Sequence, residues 1–392
     1  MPWRKVEPMD QRRQFVVDAR RYAGSFRELC TRYDISPKTG YKWVARADAE
    51  GLDALAEHAR RPQRCPHAIA PELVAALCAV RQRHPTWGPR KLLKVLRDRY
   101  PRRAWPARST AADLLRRLGL VLPRHRRRRL GHPGKPHTAM TAPNRIWTAD
   151  FKGQFRTGDG RYCYPLTVAD GYSRFLLGCD ALRHPTHALS RPVFERLFRT
   201  YGLPERIRTD NGVPFATCAL GRLSQLSVWW IRLGIMPELI QPARPYQNGR
   251  HERMHLTLKR DTTRPPAATC TGQQRRFRTF IQEFNHERPH QALADATPAS
   301  HYTASPRPFP DRLAPLEYPA HFERRLVSRN GGIRWRFQWV NVSHVLGGEY
   351  VGLEEITDGE WDLYFGPLKL GRFHERTLQV EDHLGRTTRR SR

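Results

Sequence analysis

The segment His251-Glu252-Arg253-Met254-His255 admits two chemistries. Two histidines four apart on a helix, with a glutamate after the first, match the pattern of a zinc peptidase, in which the histidines hold the metal and the glutamate is the general base. Glu252 also fits as the last of three separated carboxylates, with Asp150 and Asp210, that together hold Mg2+ or Mn2+. Hard oxygen donors of this kind leave room for water and phosphate oxygens. Two ions about 3.5 to 4 Å apart then stabilise the attacking and leaving oxygens of an in-line displacement. The first chemistry acts on peptide bonds and the second on phosphodiesters. Without a cation, three clustered carboxylates repel one another and tend to hold protons.

Charge separates the two. The 392 residues carry 69 Lys+Arg against 37 Asp+Glu, a net +32 and a pI near 10.9. Solubility needs far less, and the excess suits a polyanion such as nucleic acid. The first 140 residues hold 32 of the cations and 12 of the acids, so most of the attraction to phosphate is expected there. A zinc peptidase leaves Asp150, Asp210 and this charge without a role. The same histidine pattern also recurs at His286-Glu287-Arg288-Pro289-His290, where proline opposes the helix that zinc binding requires.

The remaining composition sets outer bounds. A hydrophobic fraction of 39% supports real cores, and the length predicts two to four domains. The opening MPWRKVEPMD lacks the apolar stretch of a signal peptide and no segment is apolar enough to span a bilayer, so a cytoplasmic protein is expected. Seven scattered cysteines without a CxxC pair read as small buried hydrophobes.

The elements that must position the acids follow from pattern. Residues 10–23 are helical in period, Ser25-Phe26-Arg27-Glu28 reads as a capping box, and Ser36-Pro37 starts a further helix, which together predict a helix-turn-helix. Its second helix offers Lys38, Thr39, Lys42 and Arg46 to a DNA groove, with Tyr41, Trp43 and Val44 as packing. A second helical group is predicted at Pro71–His84, Arg90–Arg99 and Ser109–Leu118, the last with a serine cap. The block RHRRRR, including Arg126, Arg127 and Arg128, reads as an arm that tracks a phosphate backbone. From Trp147 the chain turns to strands at 146–151, 162–169 and 174–180, then a helix at Pro192–Thr200, a strand at Arg206–Thr209 and a helix at Leu220–Leu233. A strand at Pro237–Ile240 and the helix of Glu252 follow. This order predicts an α/β layer on a mixed sheet, with Asp150 and Asp210 at strand ends and Glu252 on a helix. Beyond Pro310 the chain reads as all-β, with residues 333–339 as one alternating strand after the turn Asn330-Gly331-Gly332.

The segments WTADFKG, FERLFRTYGLPERIRTDNGVPF, RPYQNGRHERMHLTLK and FNHERPHQAL resemble, in that order, the core of bacterial insertion-sequence transposases of the retroviral-integrase superfamily. SPKTGYKW and HPTWGPRKL extend the similarity over nearly the whole chain. The resemblance implies a multidomain protein. Helix-turn-helix domains at 1–60 and 61–123 and a basic linker at 124–141 would precede an α/β RNase H-like core at 142–305 and a small all-β, SH3-like domain at 306–385. It implies an Asp-Asp-Glu triad at Asp150, Asp210 and Glu252 with two divalent ions, and DNA contact by Lys259, which lies seven positions after Glu252 on the same helical face. It further implies that element ends and target DNA are the substrates and that the assembly is at least a dimer in the bacterial cytoplasm, on the nucleoid. Two departures stand out: Asp210 and Glu252 are 42 positions apart, longer than the common integrase spacing, and no histidine and cysteine zinc module precedes the core. The other function class is a non-catalytic helix-turn-helix regulator descended from a transposase, and the zinc peptidase is the remote third.

Overall fold

A computed structural model describes residues 8–56, 68–121, 138–241, 248–382 and 387, so Arg126, Arg127, Arg128 and Cys65 lie outside the described residues. The chain divides into two units, Met1–Ile69 and Ala70–Arg392.

The first unit is three helices, α1 (Pro8–Arg21), α2 (Phe26–Arg32) and α3 (Pro37–Glu50), around Phe15, Val16, Leu29, Cys30, Trp43 and Leu55. Ser36 caps α3 by accepting the Thr39 N–H at 3.2 Å, Pro37 fills a first-turn position that needs no donor, and Gly51 at φ +86° ends the helix. The expected capping box at Ser25 does not form: Ser25 stands at the N-cap without a side-chain cap bond. Leu29 and Cys30, both buried, hold this seven-residue helix by packing instead.

The second unit begins with α4 (Pro71–Arg83), α5 (Pro89–Arg99) and α6 (Arg108–Arg117). Ala107, not Ser109, takes the N-cap of α6 and makes no side-chain cap bond. The strands and helices of an α/β core follow: β1 (Ile146–Phe151), β2 (Phe155–Arg156), β3 (Tyr162–Asp170), β4 (Leu176–Leu182), α7 (His187–Tyr201), β5 (Arg206–Thr209), α8 (Gln225–Arg232), β6 (Met236–Leu239), α9 (Gly249–Thr262) and α10 (Cys270–Gln282). The sheet runs β2-β3-β1-β5-β6, with β4 also on β3. It is mixed, antiparallel between β1 and β3 and parallel from β1 through β5 to β6. One face packs Phe194, Phe198 and Trp230 of α7 and α8 against Trp147 and Ile207; the other packs Met254, Leu258, Phe277 and Phe280 of α9 and α10 against Leu176 and Cys179. Two expected bounds shift. The α7 helix starts at His187 and carries Pro192 inside it, and the predicted 220–233 helix is broken by Gly221 at φ +65° into a short 3-10 turn and α8, which Ser224 caps.

The last strands are β7 (Glu323–Leu326), β8 (Gly332–Trp335), β9 (Gln338–Asn341), β10 (Tyr350–Thr357), β11 (Glu360–Phe365), β12 (Leu368–His374) and β13 (Gln379–Glu381). Five form an antiparallel sheet, β13-β12-β11-β10-β7, and β8 and β9 form a hairpin. The single strand expected over 333–339 is this hairpin. Arg336 and Phe337, at φ +42° and +66°, make its two-residue turn and leave Phe337 95% exposed.

Close packing at Gly40 of α3 gives a test. A Cβ there would lie 2.7 Å from Cys30 Sγ and 2.9 Å from Phe15 Cζ. Alanine gains about 1 kcal/mol of helix propensity, whereas overpacking costs about 1 to 3 kcal/mol, so crowding wins. Gly40→Ala should therefore speed amide hydrogen exchange across α1 to α3; slower exchange would show that propensity dominates.

Candidate active site

Strand alternation sets the site. In β1, Trp147 and Ala149 enter the core beneath α7 and α8, so Thr148 and Asp150 face α9 on the other side. Asp210 follows β5, the parallel neighbour of β1, and its Oδ1 accepts the Gly212 N–H at 3.2 Å. Glu252 is exposed in the first turn of α9. The Asp150 carboxyl is pushed up to about 7, by burial first and then by the charges of Asp210 and Glu252, partly offset by Lys152. Both other acids therefore act electrostatically on Asp150. Burial also raises Asp210 above the usual carboxylate range, against the pull of its Gly212 bond.

The helix that carries Glu252 is fastened to the sheet through its two histidines. His251 is buried, with Nδ1 2.8 Å from Thr148 Oγ1 and Nε2 2.7 Å from Thr167 Oγ1. His255 Nε2 lies 2.6 Å from the same Thr167 oxygen, whose proton goes to the Asp150 carbonyl at 2.9 Å. Thr167 Oγ1 therefore lies within hydrogen-bond distance of both Nε2 atoms, and His255 Nδ1 lies 3.8 Å from Asp150 Oδ2. Burial lowers His251 to about 3 and, with the neighbouring His251, lowers His255 to about 2, so both rings are neutral.

This geometry decides between the chemistries. Asp150, His251 and His255 each offer a donor atom within 4.8 Å of the others, as a metal would need, but both His251 nitrogens are occupied by threonine hydroxyls. The pair cannot jointly ligate zinc while these bonds stand, which removes the peptidase. The second pattern fails too, because its helix ends at Glu287, before His290. Among the described residues the donor atoms that lie within 4.8 Å of one another are those of Asp150, His251 and His255, while Asp210 and Glu252 reach Asp150 through their charge; Asp150 therefore holds a proton where a hard divalent cation would relieve it.

Lys152, two positions after Asp150, was missed in the sequence although strand alternation puts the two on one side. Burial and Lys259 lower its ammonium, which brings Lys259 to the same region of the site. In the first unit Lys38 and Lys42 are exposed on α3. Arg46 is committed to the Ala56 carbonyl at 3.0 Å and to the Trp43 ring, and the Thr39 hydroxyl lies 2.9 Å from Ser36 Oγ at the cap. Trp43 is buried, while Tyr41 stays exposed and stacks on Phe26. Between α5 and α6, Arg90, Lys94, Arg97 and Arg108 line a basic groove.

Residues 140–245 and 233–298 match the Integrase core domain, residues 11–63 the Helix-turn-helix domain and residues 39–115 the Homeodomain-like domain. The "Insertion element IS407 uncharacterized 31.7 kDa protein" of Burkholderia multivorans is 27% identical over 54% of this chain and 72% of its own length. The Pol polyprotein of Feline endogenous virus ECE1 is 29% identical over 37% of this chain, which spans 13% of that polyprotein. Among solved structures, the HTLV-2 integrase catalytic core domain in complex with magnesium aligns at TM-score 0.33 and 17% identity, over 42% of this chain and 99% of that one. The chain thus carries an integrase-type core, a polynucleotidyl-transferase domain dependent on divalent metal, together with helix-turn-helix domains that bind DNA. The integrase-core and helix-turn-helix matches, together with the insertion-element relative, support an insertion-sequence transposase. No helix among the described residues is long and apolar enough to cross a membrane.

The carboxyl crowding has a measurable sign. Asp150 titrates near 7 in the fold against an ordinary value of 3.8, so between about pH 4 and 7 the folded protein holds a proton that the unfolded chain has lost. That contribution to stability is complete below pH 4 and is lost as pH rises through 7, with an upper bound of about 4 kcal/mol. Without divalent ions, Asp150→Asn should melt higher than the wild type at pH 8, with the gap closing by pH 5. Added Mg2+ should raise the wild type at pH 8 and leave the variant nearly unmoved. A gap that is the same at both pH values would mean the acids do not crowd.

Proposed function

We propose that this protein cuts DNA at the terminal inverted repeats of its own element and joins the freed ends to target DNA. The observation that carries the reading is the dependence of Asp150 on the charges of Asp210 and Glu252, three acids supplied by β1, the end of β5 and α9. Asp150, Asp210 and Glu252 would hold Mg2+ or Mn2+, as two ions. Bound there, divalent cations offset the carboxylate charge and stabilise the charge that builds on a phosphodiester in displacement.

The chain's own residues do the rest. The neutral histidine and threonine bonds hold the helix of Glu252 against the strands beside Asp150 without adding charge, and Lys152 and Lys259 would supply cations for the DNA strand beside the acids. In the first step a water oxygen bonds to phosphorus as the bond to the 3′-oxygen breaks, and that oxygen leaves with a proton as a 3′-OH. In the second, this hydroxyl bonds to a target phosphorus and displaces the target's own 3′-oxygen, the proton passing from nucleophile to leaving group. Neither step needs a covalent bond to the protein. Lys38, Thr39, Lys42 and Arg46 of α3 and the Arg126, Arg127 and Arg128 run are proposed to hold the repeat, with Thr39 and Arg46 acting through the shape of the helix start and end. Joining two ends in concert calls for at least a dimer, working on the bacterial nucleoid.

The test uses labelled terminal-repeat DNA with Mg2+. The wild type should nick it, chelation of the metal should stop the reaction, and Asp150→Ala and Glu252→Ala should each lower the rate by about a hundredfold or more. Nicking retained in both variants would remove the triad. Tight binding with no nicking under any metal would mark a DNA-binding regulator.

A further inference from the structure

Five cations from separate parts of the second unit act on one another along α9, the helix that carries Glu252. Arg250 and Arg253 flank it on α9, Arg174 follows the turn at Asp170–Ser173, Lys91 comes from α5, and Arg288 follows α10. Bonds fix these parts together. Arg250 Nη1 donates to the Gly171 carbonyl at 2.7 Å, Arg288 Nη1 to Asp261 Oδ2 of α9 at 3.2 Å, and Arg90, next to Lys91, to Asp295 Oδ2 at 2.7 Å.

The charges do not cancel. Burial and then Arg288 and Arg253 lower the Lys91 ammonium to about 7, against the opposite pull of Asp261 and Asp295. Burial, Arg250 and Arg253 lower Arg174. Asp261 is already paired with Arg288 and Asp295 with Arg90. Among the described residues, Lys91, Arg174 and Arg253 have no carboxylate at ion-pair distance. Two further observations point to an occupant. His290 Nε2, in the same group, is buried without a hydrogen-bond partner, and Arg174 is held at φ +65°, a conformation costly for a side chain of its size. Gathered cations oppose folding unless an anion shares them, and arginine forks match phosphate oxygens.

We infer that Lys91, Arg174 and Arg253 form a binding site for a backbone phosphate of DNA passing beside Glu252, with α5 as one wall of the channel. The inference rests on the proposed function for the identity of the polyanion but not on cleavage. The second helical group thereby becomes part of the substrate channel as well as a carrier of surface charge.

The experiment measures binding of the full-length protein to a labelled DNA duplex over a series of salt concentrations without divalent metal. Each removed phosphate contact should make the slope of log K against log salt less negative by about 0.9. Lys91→Ala and Arg253→Ala should each show that change, and Lys91→Arg should restore it. Arg253 is exposed, so its variant keeps the test open if Lys91→Ala unfolds. Arg199→Ala, an exposed cation on α7 paired with Glu195, is the control and should leave the slope unchanged. An unchanged slope in Arg253→Ala and in folded Lys91→Ala overturns the site, as does an equal change in the control. Because cleavage is scored separately, a protein that nicks with unaltered slopes loses only this site. One that never nicks but shows the altered slopes loses only the catalytic reading.

Discussion

The burial of Asp150 within reach of the charges of Asp210 and Glu252 is the constraint around which the core is arranged. Acids that crowd one another push their supports apart unless those supports are stiff. Two come from adjacent parallel strands whose backbone ladder fixes their separation. Glu252 comes from a helix, which has no ladder to the sheet, so other forces must hold it. Met254 and Leu258 bury one stripe of α9, and the threonine and histidine bonds lock its first turns. Thr167 is directly opposite Asp150 in the β1–β3 register, so the helix is tied to the residue pair that carries the first acid. Neutral rings suit this task, because a charged imidazole beside Asp150 would act as a fixed counter-ion to its carboxylate.

The long interval between Asp210 and Glu252 also has a physical use. It contains the 3-10 turn and α8, whose residues are apolar on nearly every side. Trp229 and Trp230 face the sheet, while Val228 and Ile231, with Leu220 and Leu223, enter the core of the C-terminal strands. A helix hydrophobic all round is buried all round. The extra length therefore gives one element two faces of packing and joins the β domain to the sheet that bears two of the acids, while Arg232 adds an ion pair to Glu349 at 2.7 Å.

The strands of Asp150 and Asp210 and the helix of Glu252 were legible from periodicity, because each buries a face whose residues repeat at the element's own spacing. Signals that depend on a competing partner were not. Ser25 and Ser109 have the right types for caps, yet packing set those helix starts elsewhere or without their side chains. Pro192 marked a helix start in the sequence, but a proline in the sixth position costs a bond that the buried Val193, Phe194 and Leu197 outweigh. At Arg336 and Phe337 neither residue is a usual left-handed former, so the hairpin turn was hidden inside an alternation that runs on through it. Arg46 read as a groove contact from its position, and only the fold reveals that its guanidinium closes on Ala56. The cation group around Lys91 joins residues nearly 200 positions apart and has no local signature.

The His-Glu-x-x-His pattern illustrates why spacing alone underdetermines chemistry. Positions four apart share a helical face whatever that face does, and the glutamate one step on turns about 100° away. In a zinc site the shared face must leave one lone pair on each ring open to the same point, with the second nitrogen donating to an outer partner. Here both nitrogens of His251 meet threonines, and the shared face meets a sheet. The spacing that would gather a metal between two rings instead gathers two rings around one hydroxyl. Turning Glu252 out of that packed face is what leaves it available to join the acids of the neighbouring strands.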